Sequence, residues 1–181
     1  MVTAQAVRDA RNLTWNLDVR LSDGRRAGHR VSALAAFWPG LLLLAGRDVG
    51  EARDAFSSFW ELWRRYRSLP ELYDLETGDL LHFARDAPLR PELAESALHL
   101  YLATRDGRYL IAGREMVTAL NDISRVACGF AAIADANTHR LDDRMDSYFF
   151  AETLKYLFAR RVIARSVAAT PRPRRGHSEG G

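Results

Sequence analysis

The chain lacks most of the features that announce a chemistry. It has a single cysteine, Cys128, so no disulfide can form within it, and the redox compartment stays open. Cys128 itself reads as a small core residue rather than a nucleophile. The longest apolar stretch, Val31 to Ala45, is interrupted by Ser32, Pro39 and Gly40, too short and too broken to span a bilayer. Met1 to Arg11 is mixed polar and charged and holds no signal-peptide core. These absences predict either a cytosolic protein or one whose N-terminal portion lies outside this chain. There is no glycine-rich phosphate loop and no serine elbow. His29, His82, His99, His139 and His177 show no metal-ligand spacing. The excess of basic charge is confined to one end. Net charge is +3, but Ala159 to Gly181 holds six Arg against one Glu, which leaves the body slightly acidic. A nucleic-acid binder would carry its basic residues along a folded face, so that class is excluded.

What is present suits one globular domain or a piece of a larger one, at 181 residues and 48% hydrophobic. Asn12 to Arg30 is polar, with an alternating run from Leu17 to Leu21 and a turn at Asp23-Gly24, the pattern of a short hairpin or connector. Asp48 to Arg67 reads as a helix, because Ala52, Phe56, Phe59, Trp60, Trp63 and Tyr66 recur at spacings of three and four. Trp60 and Trp63 read as core. Pro91 to Thr104 is a second helix, with proline in the first turn where its missing N–H costs nothing. Asp106-Gly107 makes a tight turn into a third, Arg108 to Ile123. Val126 to Asp135 reads as extended, and Ser147 to Arg165 as a last helix. The Pro, Arg, Gly and Ser after Thr170 cannot build a core and predict disorder. The expected division is a connector or hairpin at 1–30, a body at 31–165 and a tail at 166–181. The fold class is all-α, helix pairs with short β connectors, as in a section of a helical barrel or toroid.

Two clusters carry candidate chemistry. In the first, Leu89 to Ser96, Glu92 and Glu95 share a helix face. Glu92 sits in the first turn, where the helix dipole favours an ionised carboxylate, as a general base requires. Arg90 can hold a sugar hydroxyl or orient a carboxylate. Acidic residues in a first turn are also ordinary capping chemistry. In the second, Leu141 to Thr153, Tyr148 and Glu152 stand four apart on one face, a ring beside a carboxylate as sugar sites use. Glu152 lies in a largely apolar run, where a carboxylate is costly unless paired or coordinated. Glu71 is a third acid, a pocket group or a loop residue. Asn12-Leu13-Thr14 matches the three-residue glycosylation sequon.

Taken in order, these stretches resemble one family. Leu89 to Ser96 followed by Tyr101 to Gly107, then Val126 to Ala132, then Leu141 to Leu157 are similar to the "LRPE…ES…YLYxATGD", "VxCGFA" and "DRMESFFLAETLKYL" segments of class I α-1,2-mannosidases, glycoside hydrolase family 47. Within it the chain is most similar to the ER degradation-enhancing mannosidase-like branch. Order and spacing agree from about Leu34 to Phe158. The resemblance implies a partial (α/α)7 barrel, formed by residues 31–165. It implies inverting removal of terminal α-1,2-mannose from high-mannose N-glycans or glycoproteins, with Ca²⁺ as cofactor, in the endoplasmic reticulum lumen or secretory pathway. Inversion needs an acid and a base roughly 6.5–9.5 Å apart, to admit a water. By position, Glu92 matches the general base. Arg90 and Glu95 match sugar and calcium-shell contacts. Tyr148 stands where the family has the Phe on which mannose rests. Glu152 matches a carboxylate holding calcium-bound water or sugar hydroxyls, and Glu71 a further pocket acid. Calcium takes oxygen ligands, often waters held by carboxylates, which suits Glu95 and Glu152 as water-mediated partners.

There are departures too. The family's general acid and a second catalytic Asp belong to the N-terminal half of the barrel, which these residues do not include. The Thr that binds calcium in the family has no counterpart after Phe158, and Ser32 stands where an acid is more common. The expected readings are therefore three. One is a mannosidase whose other half-barrel comes from elsewhere. Another is a mannose-glycan or misfolded-glycoprotein recognition module without turnover. The third is an inactive truncated product, whose uncovered helix faces would favour association.

Overall fold

The computed structural model describes residues 4–159. The end of the expected last helix and the tail at 166–181 lie outside them. Strand β1 (Ala4–Arg8) pairs antiparallel with β2 (Thr14–Asp18), Val7 opposite Trp15. The turn between them is held by Asp9, whose carboxylate accepts from the amides of Arg11 and Leu13 and from the Trp15 indole N–H. The hairpin is therefore earlier than the sequence pattern suggests. Asp23-Gly24 closes a smaller loop bridged at Val19 and Arg26. Alternation along Thr14-Trp15-Asn16-Leu17 drives Trp15 and Leu17 into the core, and Trp15 is fully buried against Phe59 and Tyr73.

Strand β3 (Arg30–Ser32) pairs with β4 (Leu72–Asp74), which pairs with β5 (Asp79–Leu80). A 3₁₀ turn, Ala33–Phe37, leads into α1 (Trp38–Leu44). Helix α2 (Val49–Tyr66) starts where Asp48 caps the amides of Gly50 and Glu51. It buries Ala52, Phe56, Phe59, Leu62, Trp63 and Tyr66, and ends at Arg67 in the left-handed conformation (φ 53°). Trp63 is buried and stacks on the partly buried Trp60 at 4.7 Å.

Helix α3 (Glu92–Thr104) is the centre of the packing and touches α1, α2, the 3₁₀ turn and α4 (Arg108–Ala119). Its left-handed terminator, Arg105, starts a short loop that folds α4 back as a helical hairpin. Ser96 keys α3 to α1: its hydroxyl donates to the Ala36 carbonyl at 2.6 Å and accepts from the Gly40 amide at 3.1 Å. A Cβ on Gly40 would stand 3.2 Å from the His99 ring, so only glycine allows this approach without displacement.

The third helix of the sequence pattern changes pitch. After Ala119 it widens into a π-turn, Leu120–Ser124. Two short hairpins follow: β6 (Arg125–Val126) with β7 (Gly129–Phe130), and β8 (Ala132–Asp135) with β9 (Arg140–Asp142). Cys128 sits in the tight turn between β6 and β7 and is exposed, which corrects its reading as core. The last helical segment is also wide at first, a π-turn at Phe149–Leu154 that continues as α-helix through 155–159. Leu34, Phe37, Leu41 and Leu44 near α1, and Phe150 and Phe158 on the last helix, are exposed. Among the described residues the helices form an open layer, and none is long and apolar enough to cross a membrane.

Candidate active site

The site is assembled from three backbone segments. The first carries Glu71, whose amide donates to the Asp86 carbonyl and whose carbonyl accepts from Ala33. The second is the Ala87–Glu92 loop. It is anchored by a two-way exchange between Ala87 and Ile133 of β8, and it passes through Leu89 at a left-handed φ of 60° before α3 begins. The third is the start of the last helix. There the Tyr148 hydroxyl lies 2.8 Å from an Asp146 oxygen and 3.0 Å from the Pro88 carbonyl. From the same segment, Thr153 donates to the Leu89 carbonyl at 2.8 Å.

These anchors bring Arg90 and Glu71 into a bidentate, half-buried ion pair, Nε to Oε2 at 2.7 Å, with the second guanidinium nitrogen on Oε1. The hydrogen bonds to Glu71 hold the Arg90 proton well above its ordinary range. The guanidinium also lies over the Tyr148 ring, 5.7 Å from its centre. Burial first, and then the Asp146 carboxylate, push the Tyr148 phenol far above its usual range, so it remains a neutral donor.

Glu92 occupies the first turn of α3, as its place in the sequence predicts, but its ionisation runs the other way. One carboxylate oxygen, Oε2, is buried and has no hydrogen-bond partner. Burial raises its pKa. Its own amide and Arg90 counter this in part, while the charges of Glu152 and Glu71 reinforce it. The helix dipole is the weaker influence once the group leaves water. Glu95 accepts from the Tyr156 hydroxyl at 3.1 Å and has His99 at 3.8 Å. Burial, then Glu95, push the Tyr156 phenol up to about 12, with Glu152 and Glu92 adding to the effect. Glu71, Glu92, Glu95 and Glu152 thus form one electrostatic group. Sequence reasoning passed over Tyr156 and Thr153. The available signal was spacing, since Tyr156 follows Glu152 by four residues.

The donor set bears on calcium. All its carboxylate groups are oxygen donors, and they carry excess negative charge around an unpartnered Glu92 oxygen. Among the described residues no three acidic, His or Cys side chains gather closely enough to ligate a metal directly. Glu71 is already engaged by Arg90. Among the described residues these carboxylates form no direct coordination shell, so a hard cation here would have to be reached through water.

The residue pattern of glycosyl hydrolase family 47 matches residues 2–159. The chain belongs to this family. It is 42% identical over 144 residues to ER degradation-enhancing alpha-mannosidase-like protein 2 of Mus musculus, covering 80% of this chain and 25% of that protein. To alpha-mannosidase I MNS4 of Arabidopsis thaliana it is also 42% identical over 144 residues, covering 80% of this chain and 23% of the other. An alpha-1,2-mannosidase from Trichoderma reesei superposes with a TM-score of 0.70 at 23% identity, over 88% of this chain and 38% of that one. The fold is accordingly a section of the family 47 (α/α)7 barrel, left open among the described residues. The chain spans about a quarter of the length of these curated relatives.

Proposed function

We propose that this chain forms part of the catalytic wall of an inverting α-1,2-mannosidase that trims high-mannose N-glycans in the secretory pathway, with calcium as cofactor. The observation that carries the reading is Glu92 Oε2, a buried carboxylate oxygen without a partner beside a locked Arg90–Glu71 pair. A buried acceptor left open in this way is costly unless a ligand completes it. A raised pKa also brings a carboxylate closer to the strength a general base needs near neutral pH.

In this mechanism Glu92 removes a proton from water. The water oxygen bonds to the anomeric carbon on the face opposite the leaving group, and the glycosidic C–O bond breaks. The leaving oxygen takes its proton from an acid in a part of the barrel outside these residues. Arg90 and Glu71 fix the sugar hydroxyls, and the Tyr148 ring supports the sugar's apolar face. Glu95 and Glu152 would hold calcium through water, and the ion, when bound, would supply positive charge that polarises sugar hydroxyls and water. Tyr156, a neutral donor, keeps Glu95 oriented.

The same residues would bind mannose without turnover where no acid is supplied. One experiment separates the two readings: incubate the full chain, alone and with the remainder of a family 47 barrel, with an α-1,2-mannobiose probe. Binding and mannose release are then measured for wild type and Glu92→Gln. Catalysis predicts release that Glu92→Gln abolishes (a loss of at least a thousandfold, about 4 kcal/mol of barrel-assisted barrier lowering) with binding retained. Binding without release in either form supports the recognition module. Full release by Glu92→Gln overturns the assignment of the base.

A further inference from the structure

We propose that Thr153 is a positioning residue for Arg90 and Glu92, and that it acts through the carbonyl of Leu89. The inference rests on the reading of Glu92 as base and adds a residue that reading does not use. Leu89 is held at φ 60°, a conformation that disfavours side chains other than glycine. The Leu89-Arg90 pair is flanked by Pro88 and Pro91, which have no N–H to give. Among the described residues, neither the Leu89 nor the Arg90 amide has a backbone partner. The segment that aims the guanidinium and starts α3 is therefore strained and has little ladder to hold it.

Thr153 supplies the missing restraint. It is 5% exposed, and its hydroxyl donates to the Leu89 carbonyl at 2.8 Å. The Tyr148 hydroxyl lies on the preceding carbonyl, Pro88, and shares its one proton between that oxygen and Asp146. Residues 148 and 153 are five apart. On an α-helix they would point about 140° from one another. The i→i+5 turn at Phe149–Leu154 sets such residues one above the other instead. The widened pitch thus lets both hydroxyls meet consecutive carbonyls of one loop.

The test uses Thr153→Val, which keeps shape and removes the hydroxyl, and Thr153→Ser, which restores it. Three quantities are read on the full chain. The first is the NMR signature of Leu89, a strong intraresidue Hα–HN contact with left-handed carbon shifts. The second is α-1,2-mannobiose affinity, and the third is mannose release in the reconstituted barrel. For Thr153→Val we expect the left-handed signature to be lost, affinity or kcat to fall tenfold or more, and Thr153→Ser to recover both. Retention of the signature in Thr153→Val overturns the proposal. So does its loss with unchanged sugar parameters, or a Ser variant that behaves as Val. If wild type neither binds nor cleaves mannose, the functional reading fails. The Leu89 signature then still decides whether Thr153 holds the loop.

Discussion

Asp74 and Glu92 are both carboxylic acids withdrawn from solvent, and their surroundings treat them oppositely. Asp74, in the β4 turn, accepts from the amides of Glu76 and Thr77 and from His29 at 3.0 Å. Burial pushes its pKa up, but the Thr77 and Glu76 amides and His29 outweigh that and hold it below the usual range. Glu92 has burial and like charges, with too few donors, and its pKa is raised. The scaffold around β4 is complete in itself. Around Glu92 the described residues leave one carboxylate oxygen without a donor. Stability is made at β4 and given up at Glu92.

That contrast can be broken most forcefully on the scaffold side. Trp15 is fully buried, packs edge-on against Phe59 at 5.3 Å and donates to Asp9. Trp15→Ala should cost about 3–5 kcal/mol, enough to detach the hairpin from α2, read as a large loss in denaturant midpoint. Next comes the pocket's ion pair. Arg90→Met leaves Glu71 half-buried and unpaired, and should cost about 2 kcal/mol in chemical denaturation, less than a fully buried pair because both groups keep some water.

Acid titration sharpens the contrast. The Asp74 carboxylate, with its lowered folded pKa, contributes stability above the ordinary carboxylate range, and that contribution is lost as pH falls through the folded value. Glu92, with its raised folded pKa, favours folding below the ordinary value and loses that advantage as pH rises through the folded one. At neutral pH, Asp74→Asn should therefore destabilise by about 1–3 kcal/mol. Glu92→Gln should stabilise by about 1 kcal/mol, roughly 2–4 °C in Tm. Both differences should shrink when Tm is measured at acid pH. A destabilised Glu92→Gln at neutral pH would contradict the picture of an unsatisfied acid. The smallest effect is expected at exposed Cys128, where Cys128→Ser should shift Tm by about 1 °C or less.

Much of the scaffold was legible in the sequence. The spacing from Ala52 to Tyr66 specifies α2 within a residue at each end, and Pro91 marks the start of α3. The stops were harder to see, because Arg67 and Arg105 take left-handed conformations usually given to glycine. Both π-turns were invisible, since hydrophobic periodicity does not register one extra residue. Trp15 was hidden in a polar stretch, where only every second side chain turns inward. Within the site, Glu92 and Glu95 could be paired by eye. The Arg90–Glu71 pair joins residues nineteen apart across a loop, and no local rule predicts it. The direction of the Glu92 shift depends on burial, which a sequence does not state.

The wide turn at Phe149–Leu154 has a further consequence for reading relatives of this chain. A π-turn is an α-helix carrying one surplus residue. Deleting that surplus residue would restore ordinary pitch and leave the side chains downstream on the face they already occupy. Tyr156 would still face Glu95 and Leu157 the core, and only residues inside the turn, Glu152 among them, would be re-aimed. A family member one residue shorter here would keep the flanking contacts and differ within the turn, where Glu152 stands. Length through this turn is inherited information in its own right.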